Sequence, residues 1–225
     1  MKQFTFAILL LPAMLAPVQA QVAKQANEHY QTKEQREDIA RGLTSPGRET
    51  RQHPEKLIAA MQLKPGMTVA DIGTGAGFML PYLSNTVGPD GHVLAEDIHS
   101  DFLDDARKTV KQNNLANVQF VLGDETNPNL PESGVDRELM LEVYHHLDYP
   151  AKMLANLRKA LREDGKLCIA DFYKRPGAMP GGDAMQHIRL DEDGVIREVE
   201  ENGFRLVSKS ELIPNSQYIA IFEKQ

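Results

Sequence analysis

The chain has 225 residues, of which 32 are acidic and 25 are basic, giving a formal net charge of −7. A hydrophobic content of 41% and a charged content of 25% are ordinary for a globular protein, and the length suits one α/β domain. The acidic balance and the lack of a long basic run argue against a nucleic-acid partner and disfavour polyanionic substrates.

The first predicted element is a cleavable export signal over residues 1–20. Lys2 supplies a positive start, residues 4–15 are largely apolar, and the triplet ending at Ala20 fits a small-x-small cleavage pattern. The stretch is short for a bilayer, so we expect no stable membrane span. A buried N-terminal helix and an uncleaved anchor are the alternatives. The mature chain would begin at Gln21 and be exported, with the periplasm as the predicted compartment.

A polar arm is predicted over residues 21–53, followed by one folded domain over residues 54–225. Apolar residues are sparse in the arm, which indicates a surface helix, and a Ser-Pro-Gly turn at 45–47 interrupts it. The domain opens with a helix whose first turn accommodates Pro54.

Strands and helices alternate through most of the domain. The predicted strands cover residues 68–72, 92–97, 118–122, 135–141 and 166–171. The helices between them are predicted at residues 77–86, after an N-cap at Ser100, and after an N-cap at Asp148. This alternation indicates a parallel sheet that is covered by helices on both faces.

The C-terminal end of the domain has a different pattern. A helix at residues 191–202 precedes two strands, 204–212 and 217–222, whose short connection forces antiparallel pairing. The predicted fold class is therefore a Rossmann-like, doubly wound α/β domain. Its seven-stranded sheet is mostly parallel and ends in an antiparallel hairpin.

The fourth predicted strand contains two charged residues, Arg137 and Glu138, where a central parallel strand should be continuously apolar. Either the strand begins later, near Leu139, or the two charges pair with each other where the strand begins.

The chain has one cysteine, Cys168, in an apolar run that predicts a buried strand position. No intramolecular disulfide can form. No group of Cys and His residues has the spacing of a structural zinc site, so the sequence predicts no metal.

The glycine motif ADIGTGAGF follows the first predicted strand, at the sheet edge where open parallel sheets bind ligands. A dinucleotide fingerprint requires G-x-G-x-x-G, but here the third glycine comes one residue early and Phe78 holds its place. No G-K-[ST] follows, which excludes a P-loop. The motif thus disfavours a nicotinamide oxidoreductase and favours a nucleoside without phosphates.

Acidic residues end the next strands, where the hydroxyl and amino groups of a nucleoside need acceptors. Asp97 ends the second strand, about 20 residues beyond the glycines, as a ribose-binding acid does. Glu96 is adjacent, but neighbours in a strand point to opposite faces, so we expect only one of them to face the ligand. Asp124 follows the third strand and can accept a hydrogen bond from an exocyclic amine.

These motifs resemble those of class I S-adenosylmethionine-dependent methyltransferases. The resemblance covers residues 54–224 and includes VADIGTGAGF, the acid in VLAEDI, GDE at 123–125, VYHHL at 143–147 and LREDGKLCIADF at 161–172. The RQHP stretch and the C-terminal hairpin resemble a subgroup of predicted methyltransferases with export signals. The resemblance implies the same α/β fold, with S-adenosyl-L-methionine as the cofactor.

The resemblance also implies which residues bind that cofactor. Asp71, Gly73 and Gly75 would line its methionine end, with Gly77 in the same loop. Asp97 would bind the ribose hydroxyls and Asp124 the adenine amine. An N-cap or a solvated turn is the ordinary alternative for each acid.

The segment after the fourth strand faces the sulfur of the cofactor in the family. The candidate catalytic residues are therefore Tyr144, His145 and His146, with His145 the preferred base. The alternative is that this segment only positions the following helix. Residues 175–190 are predicted as a loop over the acceptor. His187 and Arg189 in this loop are candidates for contacting the acceptor, with solvated loop residues as the favoured alternative. His29, Tyr30 and Arg51 of the arm are further candidates for closing the pocket.

The predicted function is S-adenosylmethionine-dependent methyl transfer to an unidentified small-molecule acceptor by in-line displacement. The alternative is a non-catalytic exported protein that binds S-adenosylmethionine, S-adenosylhomocysteine or a related nucleoside. Intact donor-site acids are expected under both hypotheses.

Overall fold

The computed structural model describes residues 23–225, so the predicted export signal lies outside the described residues. Within these residues, no helix combines the length and the apolar character that a membrane crossing requires.

One seven-stranded sheet in the order β3-β2-β1-β4-β5-β7-β6 forms the centre of the domain. Its strands are β1 (Thr68–Ile72), β2 (His92–Asp97), β3 (Val118–Leu122), β4 (Val135–Leu141), β5 (Leu161–Phe172), β6 (Phe204–Ile213) and β7 (Gln217–Lys224). Strands β1 to β5 pair in parallel, and β7 lies antiparallel between β5 and β6. The predicted fold class is confirmed.

The helices cover both faces of the sheet and the edge where the parallel strands end. They are α1 (Lys33–Leu43), α2 (Arg48–Gln52), α3 (Pro54–Met61), α4 (Leu80–Val87), α5 (Ser100–Gln112), α6 (Pro150–Ala160), α7 (Ala184–His187) and α8 (Glu192–Glu201). Short 3-10 helices lie at Asn27–Tyr30 and Tyr144–His146. Helices α3, α4 and α5 pack on one face of the sheet and α6 and α8 on the other, so two cores flank it.

Several boundaries differ from the sequence-based predictions. Helix α4 begins at Leu80 rather than residue 77, because the glycine loop before it has positive φ angles that no α-helix accommodates. Ser100 is the first helical residue of α5 and His99 is its N-cap, without a side-chain cap. Strand β5 begins at Leu161, five residues early, and the predicted loop at 175–190 contains α7.

Both explanations that the sequence offered for the charges in β4 are wrong. The strand begins at Val135, and Arg137 does not pair with Glu138. The Arg137 side chain instead donates to the carbonyl oxygens of Met61, at 2.9 Å, and Asp136, at 2.6 Å. Both carboxyl oxygens of Glu138 are buried, with no hydrogen-bond partner among residues 23–225. Burial raises the pKa of Glu138 well above its usual value.

Replacing Glu138 by Gln should stabilise the protein at pH 8 and much less at pH 5. In the folded state Glu138 is protonated, whereas in the unfolded chain it ionises above about pH 4.5. The free energy of unfolding therefore falls by about 1.4 kcal/mol per pH unit above that pH, until Glu138 also ionises in the folded state. The Glu138→Gln variant cannot ionise at this position, so its free energy of unfolding does not fall with pH for this reason. Urea unfolding at both pH values measures it, with the exposed Glu132→Gln as control. A stability difference of equal size at pH 5 and pH 8 would contradict this interpretation.

Candidate active site

A cavity of about 770 Å³ lies at the carboxyl ends of β1, β2 and β4. The glycine loop after β1 and the end of β2 form one side of it, and the segment after β4 forms the other. The arm before α3 contributes the remaining wall. The volume and the mixed polar and apolar lining are those of a small-molecule site.

Two glycines of the loop after β1 are required by close packing at the cavity wall. Gly73 has a φ of 66°, and a Cβ there would lie 2.6 Å from Cγ2 of Val143. A Cβ on Gly75 would lie 2.8 Å from Cδ1 of Leu43. Gly77 does not line the cavity, because the loop there packs against α5, and a Cβ on Gly77 would lie only 3.2 Å from the Cα of Ala106.

Backbone amides of this loop bind the two acids that end β2. The Gly73 amide donates to Oε2 of Glu96 at 3.2 Å, and the Gly75 amide donates to Oδ2 of Asp97 at 2.9 Å. Both acids line the cavity, although neighbouring residues in a strand point to opposite faces. That only one of them faces a bound ligand stays a prediction.

The acids at this end of the cavity are buried, and burial raises their pKa values. The pKa of Asp71 rises to about 7, although Thr74 donates a 2.7 Å hydrogen bond to its Oδ2. The pKa of Asp97 rises to about 6, and that of Glu96 rises well above its usual value because of burial and the charge of Asp97. Oε1 of Glu96 has no hydrogen-bond partner within the described part of the chain. These acceptors fit a nucleoside that brings hydroxyl and ammonium donors.

Asp124 lies outside the cavity wall. It is exposed, and its Oδ1 accepts hydrogen bonds from Thr126 and from the backbone amide of Asn127, which close a turn and lower the pKa of Asp124. The neighbouring Glu125 lines the cavity instead. The predicted contact between Asp124 and adenine therefore stays a prediction.

His145 lies at the opposite side of the cavity and is held by a buried carboxylate. Its Nδ1 lies 2.7 Å from Oδ1 of Asp171, the penultimate residue of β5, and its backbone amide donates to Oδ2 of the same residue at 3.0 Å. The imidazole is 4% exposed. An Nδ1 proton shared with Asp171 leaves Nε2 as the ring's hydrogen-bond acceptor.

The prediction that Tyr144 is a catalytic residue is wrong, because its side chain does not line the cavity. It is buried in the core, and its hydroxyl donates to Oε1 of Glu198 in α8 at 2.7 Å. A 3-10 helix turns successive side chains by about 120°, so Tyr144 faces α8 while the next two residues face the cavity. Arg189 is likewise buried in an ion pair with Glu198 and does not reach the acceptor side.

His146 and His187 join His145 at the cavity wall. Nδ1 of His146 lies 2.8 Å from Oδ1 of Asn27, and Nδ2 of Asn27 donates to the backbone oxygen of His146 at 2.9 Å. Burial, reinforced by the neighbouring imidazoles, lowers the pKa of His146 well below its usual value. The same causes lower the pKa of His187 to about 4. All three rings meet, with centroids 4.1 to 5.3 Å apart.

The arm covers the cavity through residues that the sequence analysis largely missed. Tyr30 lines the cavity as predicted, but His29 and Arg51 are exposed and do not. Arg48 takes their place, with its guanidinium carbon 4.4 Å from the centre of the Phe78 ring. A single Arg in a polar segment gives no sequence signal for such a role.

Ion pairs fix the arm to the domain. The Arg36 side chain donates to both carboxylate oxygens of Asp101 in α5, at 3.0 and 2.8 Å. Arg48 lies 3.5 Å from Oε2 of Glu142, which follows β4. The arm thereby connects the donor-loop side of the cavity to its histidine side.

The chain is similar to methyltransferases over most of the domain. Residues 63–212 match a family model described as a methyltransferase domain. The crystal structure of a SAM-dependent methyltransferase from Aquifex aeolicus is 31% identical in sequence with a TM-score of 0.78, covering 84% of this chain and 98% of that chain.

Two curated relatives match over about half of this chain. An arsenite methyltransferase from Halobacterium salinarum is 33% identical over 119 residues, which are 53% of this chain and 30% of the relative. A ubiquinone/menaquinone biosynthesis C-methyltransferase from Vibrio campbellii is 27% identical over 112 residues, which are 49% of this chain and 43% of the relative. The chain thus matches less than half the length of these curated relatives.

The affinity for S-adenosylhomocysteine should rise at least tenfold between pH 5 and pH 8. The pKa of Asp97 is about 6, so only about a tenth of the protein molecules have this carboxyl ionised at pH 5. The ionised carboxylate is the better acceptor for ligand hydroxyls. Calorimetry across this range measures the trend. Asp71, with a pKa of about 7, titrates over the same range, so the matched Asp97→Asn variant should lose only the part of the rise that Asp97 contributes. An unchanged pH dependence in this variant would contradict the role of Asp97.

Proposed function

This chain belongs to the methyltransferase-domain family, whose methyl donor is S-adenosyl-L-methionine, and we propose that it methylates a small-molecule acceptor by in-line displacement. The observation that carries this proposal is one cavity that joins a carboxylate-lined glycine loop to a wall of histidines. S-adenosylmethionine supplies a methyl group on a positively charged sulfur when it is bound.

The donor half of the site would bind through the loop after β1 and the end of β2. Gly73 and Gly75 let the loop backbone pack against Val143 and Leu43 at the cavity wall, and Asp97, which the Gly75 amide holds there, would accept hydrogen bonds from ligand hydroxyls. Asp71 would contact the methionine end of the donor. Its buried carboxyl favours a positively charged ammonium group as a partner.

The acceptor half would bind against Nε2 of His145. Asp171 fixes the orientation of the ring, so Nε2 can take a proton from an acceptor hydroxyl that lies against it. The arm excludes water above this wall through Asn27 and Tyr30. Alignment and water exclusion are what methyl displacement requires of a protein.

An organic acceptor with an ionisable hydroxyl suits this cavity better than a metalloid. Soft centres prefer thiolate ligands, but Cys168 is buried in β5 and does not line the cavity. The three imidazoles and the aromatic rings of Tyr30 and Phe172 suit a flat, partly apolar molecule. The curated relatives include an arsenite methyltransferase and a ubiquinone/menaquinone biosynthesis C-methyltransferase, and these features favour an organic acceptor over a metalloid.

We also propose that the protein is exported, as in the subgroup that its motifs resemble. The support is the signal-like sequence at residues 1–20. Mass spectrometry of the protein from its native host should find an N-terminus at Gln21 in the periplasmic fraction. An intact Met1 would contradict cleavage, and cytoplasmic recovery of the whole pool would contradict export.

Calorimetry with S-adenosylmethionine, S-adenosylhomocysteine and NAD should show binding of both sulfur nucleosides and none of NAD. Asp97→Ala should weaken binding by about 10- to 100-fold, the effect of losing a hydrogen bond to a charged group. Asp90→Ala, an exposed acid in the turn before β2, is the control. Asp124→Ala tests the adenine contact in the same experiment. Failure of both sulfur nucleosides to bind would contradict the donor assignment.

Turnover is tested by release of S-adenosylhomocysteine from S-adenosylmethionine in the presence of a panel of phenols and quinols. His145→Gln should lower kcat by about 100-fold or more while donor binding is retained, because the acceptor loses its activating group. His92→Gln, at an exposed histidine that begins β2, should leave the rate unchanged. Donor binding without turnover on any acceptor would favour the non-catalytic alternative.

A further inference from the structure

The wall opposite the glycine loop contains a cluster of histidines with the composition of a metal site. One nitrogen from each of His145, His146 and His187 lies within 4.8 Å of the other two. The first two residues come from the 3-10 helix after β4, and the third comes from α7. The fold brings these distant segments together at the cavity. We propose that the three histidines bind a first-row divalent cation of the Zn²⁺ type.

Two of the rings are oriented as metal-bound histidines are. A metal-bound imidazole commonly donates its other ring N–H to a carboxylate or a carbonyl oxygen. Nδ1 of His145 lies 2.7 Å from a carboxylate oxygen of Asp171, and Nδ1 of His146 lies 2.8 Å from the amide oxygen of Asn27. Nε2 of His145 is therefore left for another partner, whereas Nε2 of His146 lies 3.5 Å from the Tyr30 hydroxyl, a long contact that a cation could replace.

The third ring has no competing interaction. Neither ring nitrogen of His187 makes a hydrogen bond to any residue between 23 and 225, although the ring is only partly exposed. Three imidazoles at these distances make no hydrogen bonds to one another. A shared cation would bind one nitrogen of each ring and would displace the Tyr30 hydroxyl from His146.

The distances fit a modest rearrangement on binding. Zinc–nitrogen bonds of about 2.0–2.1 Å in a tetrahedral site place ligand nitrogens about 3.3 Å apart. The largest separation of 4.8 Å therefore has to close by about 1.5 Å. Side-chain rotation of His187 supplies that movement, since α7 has only four residues and lies in the segment over the cavity.

The ligand set indicates both the kind of cation and its chemistry. Imidazoles suit zinc and neighbouring transition metals, whereas Mg²⁺ and Ca²⁺ prefer oxygen ligands. Three protein ligands leave a fourth position open, and here it opens to the cavity. A bound cation would lower the pKa of a hydroxyl placed there, whose proton passes to solvent. In the metal-bound protein the cation would thus replace Nε2 of His145 as the activating group.

The test measures metal binding alone, on the untagged full chain after removal of metals with a chelator. Zn²⁺ titrated against a chromogenic competitor should bind with one ion per chain, and Co²⁺ should give the strong visible absorption of a four-coordinate site. Asp171→Asn should weaken Zn²⁺ binding by about tenfold or more, as partners of ligating histidines do. His187→Gln should weaken it by at least as much, and the exposed His92→Gln should leave it unchanged.

Thermal unfolding shows whether each variant is folded. Absence of stoichiometric Zn²⁺ binding in the folded wild-type protein would overturn the proposal, as would unchanged affinity in folded His187→Gln. The metal site does not rest on the proposed methyl transfer, and S-adenosylhomocysteine binding separates the two. Loss of Zn²⁺ binding with normal donor binding removes only the metal site. The reverse result removes only the donor assignment.

Discussion

Hydrogen bonds from the glycine loop to the acids that end β2 are the interaction on which the cavity depends. Amides of Gly73 and Gly75 donate to Glu96 and Asp97, so the two buried carboxyls gain donors that replace part of their lost hydration. Because these glycines lack Cβ atoms, the loop packs closely against Val143 and Leu43. The same bonds hold the carboxyls at the cavity wall, where their remaining lone pairs can meet a ligand.

The parallel sheet explains why the donor and acceptor halves meet. Strands β1, β2, β4 and β5 run in the same direction, so their carboxyl ends lie at one edge. Asp71, Asp97 and Asp171 lie at the ends of three of these strands. The second of them faces the glycine loop, and the third orients His145 at the other side of the cavity. One edge thus serves two distinct binding surfaces.

Local sequence patterns predicted what depends on local structure. Strands β1 to β4 have the predicted bounds, because each is a short run flanked by residues that favour turns. The start of β5 at Leu161 was missed, since the polar segment after it is not typical of a strand. Gly73 and Asp97 were placed at the cavity from their positions at strand ends. Asn27 and Arg48 reach it from the arm, through contacts between distant segments that no local pattern encodes.

The way the arm is attached has a consequence for the order of folding. Its contacts from Asn27 to His146, from Arg48 to Glu142 and from Arg36 to Asp101 join positions 119, 94 and 65 residues apart. Closing such long loops costs more chain entropy than pairing neighbouring βαβ units. The sheet can therefore assemble with its glycine loop in place while the N-terminal segment is still undocked. A refolding chain would then form the glycine-loop side of the cavity first and the wall contributed by the arm last.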